Sequence, residues 1–111
     1  MIQPLSPDQI DGFIGHQPYT VIHLDAAWDG YRQILERTML QVAAETRDTA
    51  FGYIDVEACE DHARRIALTN VPACSYYRGC ELIATVIGMS QDIAANLALL
   101  RAGQVPDTSD R

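Results

Sequence analysis

The sequence predicts an α/β domain in which a central mixed sheet of four to five strands is flanked by four helices. Three observations predict it. Apolar segments alternate as helix, strand, helix, strand, helix, hairpin, helix; the first strand segment is a short run rich in β-branched residues; and the helical segment after it carries a sustained three-four apolar rhythm. A strand-helix-strand unit places its strands parallel with a right-handed crossover, whereas a closing hairpin is antiparallel, so the sheet must be mixed and covered on both faces.

In chain order, residues 6–15 (SPDQIDGFIG) offer Ser6 as N-cap, Pro7 at the first helical position, and Ile10, Phe13 and Ile14 on one face, with Gly15 as the stop. YTVIHLDA follows as a buried strand. From Tyr31 a helix runs with Ile34, Leu35, Thr38, Met39, Val42 and Ala43 inward and Gln33, Glu36, Arg37 and Gln41 outward. AFGYIDV reads as the second strand, and ACEDHARRIALTN as a helix ending near Thr69 and Asn70. ACSYYR and ELIATVI form the hairpin through Gly79 and Cys80. Ser90 caps the last helix, Ile93, Ala94, Leu97 and Leu100 line its buried face, and Gly103 ends it. Residues 1–103 are thus one domain, and 104–111 (QVPDTSDR) a flexible C-terminal tail.

The 111 residues suffice for one core and not two. A formal charge of −7, with all eight basic residues arginine, makes nucleic acid or an anionic membrane a poor partner. No apolar run approaches the roughly 20 residues of a membrane helix, and MIQPLSPDQ lacks the pattern of a signal peptide, so a cytoplasmic location is expected. Cys59, Cys74 and Cys80 cannot all pair within one chain, and their spacing fits no zinc or CxxC pattern; reduced thiols are expected. His23 reads as a core histidine. His16 and His62 make no metal motif with it, and Asp55, Glu57, Glu60 and Asp61 lack calcium-loop spacing. No cofactor or metal is expected.

Several stretches together resemble thioredoxin over residues 6–103. VIHLDAAWDGYRQ resembles that family's strand and active-site turn, YIDVE its next central strand, and NVPACSYYRGCE its proline-containing hairpin; Tyr77, Glu81 and Gly88 fall at family spacing after Pro72. The resemblance implies a thioredoxin-like fold and a cis Val71–Pro72 bond, with Val71 offering backbone groups to an extended peptide. It also exposes departures. Aligned on Trp28 and Gly30, the two redox cysteines fall on Asp29 and Arg32 and the motif's proline on Tyr31. The family's buried aspartate falls on His23 and its companion lysine on Tyr53, so both the thiols and the proton-handling groups are expected to be gone.

Thiol-disulfide exchange needs a thiolate and a resolving thiol, and neither a carboxylate nor a guanidinium supplies one. The expected function is therefore a redox-inactive module that binds a protein or peptide, as an adaptor or folding helper, through Trp28, Asp29, Gly30, Tyr31, Arg32, Val71 and Pro72. Asp29 and Arg32 have a second reading, as helix cap and solvated arginine, and Trp28 as packing or as interface anchor. The alternative function is an atypical thiol-disulfide oxidoreductase using Cys59, Cys74 or Cys80. In it Cys59 gains from a helix start, Cys74 is a buried core thiol, and Cys80 is the most exposed. A homodimer through the Trp28 face is also compatible.

Overall fold

The computed structural model describes residues 2–27 and 32–106. Its five strands are β1 (Gln3–Pro4), β2 (Tyr19–Asp25), β3 (Thr49–Asp55), β4 (Ala73–Arg78) and β5 (Glu81–Ile87), in the spatial order β1-β3-β2-β4-β5. β2 runs parallel to β3 and antiparallel to β4, and β1 and β5 form the edges. The helices are α1 (Ile10–Phe13), α2 (Arg32–Ala44), α3 (Glu60–Arg65) and α4 (Ile93–Arg101), with a 3-10 turn at Pro7–Gln9 leading into α1. The mixed sheet and four helices are those expected. Strand β1 is an addition: two residues are too few to carry a periodic signal.

Every residue of β2 from Thr20 to Asp25 is buried, because this strand is central and covered on both faces. Alternation splits its side chains between two cores. Val21 packs with Leu35, Met39, Phe51, Tyr76, Ile93, Leu97 and Leu100 under α2 and α4. Ile22 and Leu24 pack with Leu5, Ile10, Ile54 and Tyr77 under α1 and α3.

Four boundary and facing expectations are corrected. In α2 the buried row is Leu35, Met39 and Ala43, at steps of four, so Ile34 lies one residue out of phase and is 50 % exposed. α3 stops at Arg65 rather than near Asn70. Leu68 N–H donates to Ala63 O and Ala67 N–H to Arg64 O, closing the helix with Ala67 in the left-handed region (φ 53). α4 is capped by Asp92, whose Oδ1 accepts from Ala95 N at 3.0 Å, and not by Ser90. The cause is Gln91: its amide donates to Val86 O and Gly88 O and its Oε1 accepts from Tyr76 Oη at 2.7 Å, which holds the chain outside helical geometry until Asp92. At the first helix, Ser6 is the N-cap as expected, but the expected stretch is divided between the 3-10 turn and a four-residue α1.

Past Gly103, Arg78 reaches across to donate to Leu100 O and Gln104 O at 3.0 and 3.1 Å, and Pro106 is buried. These contacts tie the end of α4 to the sheet.

Candidate functional site

Parallel pairing of β2 with β3 sets His23 beside Tyr53, and antiparallel pairing with β4 sets it opposite Cys74. Directly paired residues send their side chains to one face, so one row of side chains crosses the sheet beneath the start of α2. Two residues along β2, Asp25 falls on that same face. His23 and Asp25 are both fully buried, with His23 Nε2 3.3 Å from Asp25 Oδ2. The other oxygen, Oδ1, accepts from Ala26 N–H at 2.8 Å and fixes the carboxylate where the strand ends.

The row continues outward. The Tyr53 ring meets the His23 ring edge-on, centroids 5.4 Å apart. Arg32, the first residue of α2, donates from Nη1 to Tyr53 Oη at 3.1 Å, and its guanidinium lies 5.1 Å from the Tyr53 ring centroid. Hydrogen bonding to Tyr53 reinforces the positive charge of Arg32. Burial pushes the Tyr53 hydroxyl above its ordinary range, with Arg32 opposing that push. A guanidinium, a phenol, an imidazole and a carboxylate therefore run from the start of α2 into the core.

The resemblance puts His23 where the family has its buried aspartate; in the structure a buried carboxylate stands two residues on, at Asp25. The sequence reading missed Asp25. Its signal was available as His-x-Asp inside a strand, a spacing that puts both side chains on one face.

The thiols do not assemble here. Cys59, Cys74 and Cys80 are all free. Cys74 is wholly buried beside the row, and desolvation, with the charge of Asp25 adding to it, pushes its thiol far up. Cys59 precedes α3 but is 3 % exposed, and burial followed by the charge of Asp55 raises its thiol. The expected helix-start activation of Cys59 is overturned: the desolvation of a buried thiol outweighs the end of a six-residue helix. Cys80 is exposed, at the far end of the hairpin from Pro72.

Of the remaining site residues, Trp28, Asp29, Gly30 and Tyr31 lie outside the described residues. The Val71–Pro72 peptide bond is cis, and both residues are half-buried where β4 begins. Val71 N–H donates to Asn70 Oδ1 at 2.9 Å, so an incoming peptide carbonyl would compete with that side chain for it. Beside Val71, a shallow groove lined by Val56, Ala63, Leu68 and Asn70 encloses about 480 Å3. No group of three or more His, Cys, Asp or Glu placed to hold a metal occurs among the described residues. Nor is any helix among them long and apolar enough to cross a membrane.

Comparison with solved structures agrees with this topology. Thioredoxin f from spinach chloroplast (long form) superposes with a TM-score of 0.80 at 16 % identity, covering 93 % of this chain and 87 % of that one. The fold is that of thioredoxin. Thioredoxin f2 of Chlamydomonas reinhardtii gives a TM-score of 0.77 at 16 % identity over 96 % of this chain and all of its own. Oxidised mitochondrial thioredoxin 3 of Saccharomyces cerevisiae gives 0.77 at 21 % identity, covering 90 % and 94 %. No family model matches the chain, and no curated protein sequence does. At these identities the likeness speaks for the thioredoxin fold alone.

Proposed function

We propose that this chain is a redox-inactive protein with the thioredoxin fold, binding a protein or peptide as an adaptor or folding helper. The bound segment would lie against residues 28–32 and the Val71–Pro72 bend. The observation that carries the reading is the distribution of sulfur. The segment WDGYR holds none, Cys59 and Cys74 are buried with raised thiols, and Cys80 sits at the opposite end of β4. A disulfide reductase of this fold needs an accessible low-pKa thiol and a neighbour to resolve the mixed disulfide.

Binding has its own support. The start of α2 presents Arg32, held by Tyr53, as a fixed cation, and the groove beside Val71 offers apolar walls next to a backbone N–H. Main-chain pairing with alternate side chains in such a groove is a common way to hold an extended peptide. The partner this surface suits is a peptide with an acidic residue placed for Arg32. Homodimerisation through the same surface is a narrower form of the proposal.

The test has two arms. In an insulin-reduction assay the chain should give no turnover above background; thioredoxin-like turnover ends the proposal. In affinity capture, partners held by the native chain should be lost with Trp28→Ala combined with Asp29→Lys, and retention of every partner would remove this surface from consideration.

A further inference from the structure

The opposite face of the sheet, under α1 and α3, carries a cleft of about 460 Å3 that the proposed binding surface does not use. That volume is in the range of small-molecule sites. Asp11 and the α3 residues His62 and Arg65 line one side, and Tyr77, Leu82 and Cys80 of the hairpin line the other. Cys80 is the exposed thiol of the three. Its sulfur rests against Gly15, which has φ +90, and any Cβ at that position would collide with Cys80 Sγ. The glycine therefore seats the thiol at the rim of the cleft.

A second observation points to a ligand. His62 is 6 % exposed, and its Nε2 is buried with no hydrogen-bond partner among the described residues. A buried polar atom left so is unfavourable, and because His62 lines the cleft a group entering it can supply the missing partner. The charges facing the cleft are of both signs. Arg65 is cationic and Asp11 anionic, with Glu81 the chain neighbour of Cys80. Such a lining suits a zwitterion better than a simple anion.

We propose that this cleft is a modification site at which Cys80 forms a mixed disulfide with a small amino-acid-derived disulfide. The carboxylate of the adduct would rest on Arg65 and His62 and its ammonium on Asp11. In the step, Cys80 gives its proton to water and the thiolate attacks one sulfur of the incoming disulfide. The new sulfur–sulfur bond forms as the old one breaks, and the departing half leaves as a thiolate that takes a proton back. The Cys80 sulfur is oxidised, the departing sulfur is reduced, and no other oxidant is required. Because Cys59 and Cys74 are buried, neither can resolve the adduct, so the modification persists until an external thiol removes it.

Incubating the full chain with oxidised glutathione, and in parallel with the dicationic disulfide cystamine, tests this by intact mass and peptide mapping. The expected result is one glutathionyl adduct, at Cys80, abolished in Cys80→Ser. A net charge of −7 disfavours the anionic reagent everywhere else on the protein, so glutathione reacting faster than cystamine identifies the cleft. Arg65→Gln, at an exposed position, should slow the glutathione reaction by about threefold, the effect of one surface ion pair, without slowing cystamine. Modification at Cys59 or Cys74 instead, or a faster cystamine reaction unaffected by Arg65→Gln, overturns the proposal.

Discussion

Asp25 and His23 occupy the same buried face of β2, 3.3 Å apart, so removing either takes a close polar neighbour from the other. Asp25 also holds Ala26 N–H, which makes it the end of the strand as well as half of a pair. Asp25→Ala should lower unfolding free energy by about 2–4 kcal/mol, read from urea denaturation, because it takes a close polar neighbour from a buried imidazole and the acceptor from a backbone donor. The double variant with His23→Ala should cost less than the two single changes summed, with a coupling of about 0.5–3 kcal/mol. Additive costs would show that the two side chains do not depend on each other. A change of the opposite sign is available at Ala67. It occupies the left-handed position that Gly103 fills at the end of α4, where φ is 77. A Cβ there costs about 1–2 kcal/mol, partly offset by the greater freedom of glycine in the unfolded chain, so Ala67→Gly should stabilise by about 0.5–1 kcal/mol in the same titration.

Elements were legible in the sequence to the extent that their own residues determined them, and illegible where a tertiary contact intervened. β2 was readable from its β-branched run, β3 from its short apolar segment, and the hairpin from Gly79. The start of α4 was not, because Ser90 and Asp92 are equally good caps in isolation. The choice is made by Tyr76 in β4, whose hydroxyl donates to Gln91 and accepts from Asn96 Nδ2 at 3.2 Å. Burial pushes that hydroxyl far above its ordinary range, so it remains a donor. Tyr76→Phe should therefore cost about 1–3 kcal/mol by leaving Gln91 and the buried Asn96 without their partner. It should also raise amide exchange at the first turn of α4 before that in β2. Uniform acceleration through the sheet would mean that the network stabilises the core without fixing the helix start. The candidate site divides in the same way. Arg32 and Pro72 came from chain register, whereas the Arg32–Tyr53–His23–Asp25 row required β2 and β3 to be set side by side.

At the scale of the whole molecule, charge ties distant parts of the chain together and makes its stability depend on pH in two separate windows. Asp48, between α2 and β3, accepts two hydrogen bonds from Arg101 of α4, at 2.6 and 2.9 Å. Arg101 and then Thr49 hold its carboxyl at about 2, below the ordinary carboxylate value of 3.8. The folded state thus favours the ionised form, and the contribution is complete above 3.8 and lost as pH falls from there through about 2. Both side chains are more than a third exposed, so water limits the contribution to about 1 kcal/mol or less. His62 acts at higher pH. Its pKa is lowered from 6.5 by burial first and by Arg65 second. Below 6.5 the unfolded chain binds a proton that folded His62 resists, so stability declines on acidification until the folded imidazole is protonated too. Unfolding midpoints measured from pH 7.5 down to pH 2 should fall in both windows. His62→Asn should flatten the upper decline and leave the lower one, and Asp48→Asn should do the reverse. If either substitution flattens both windows, the two groups titrate as one cooperative unit, and the separation seen here between the α3 face and the α4 end does not govern the acid response.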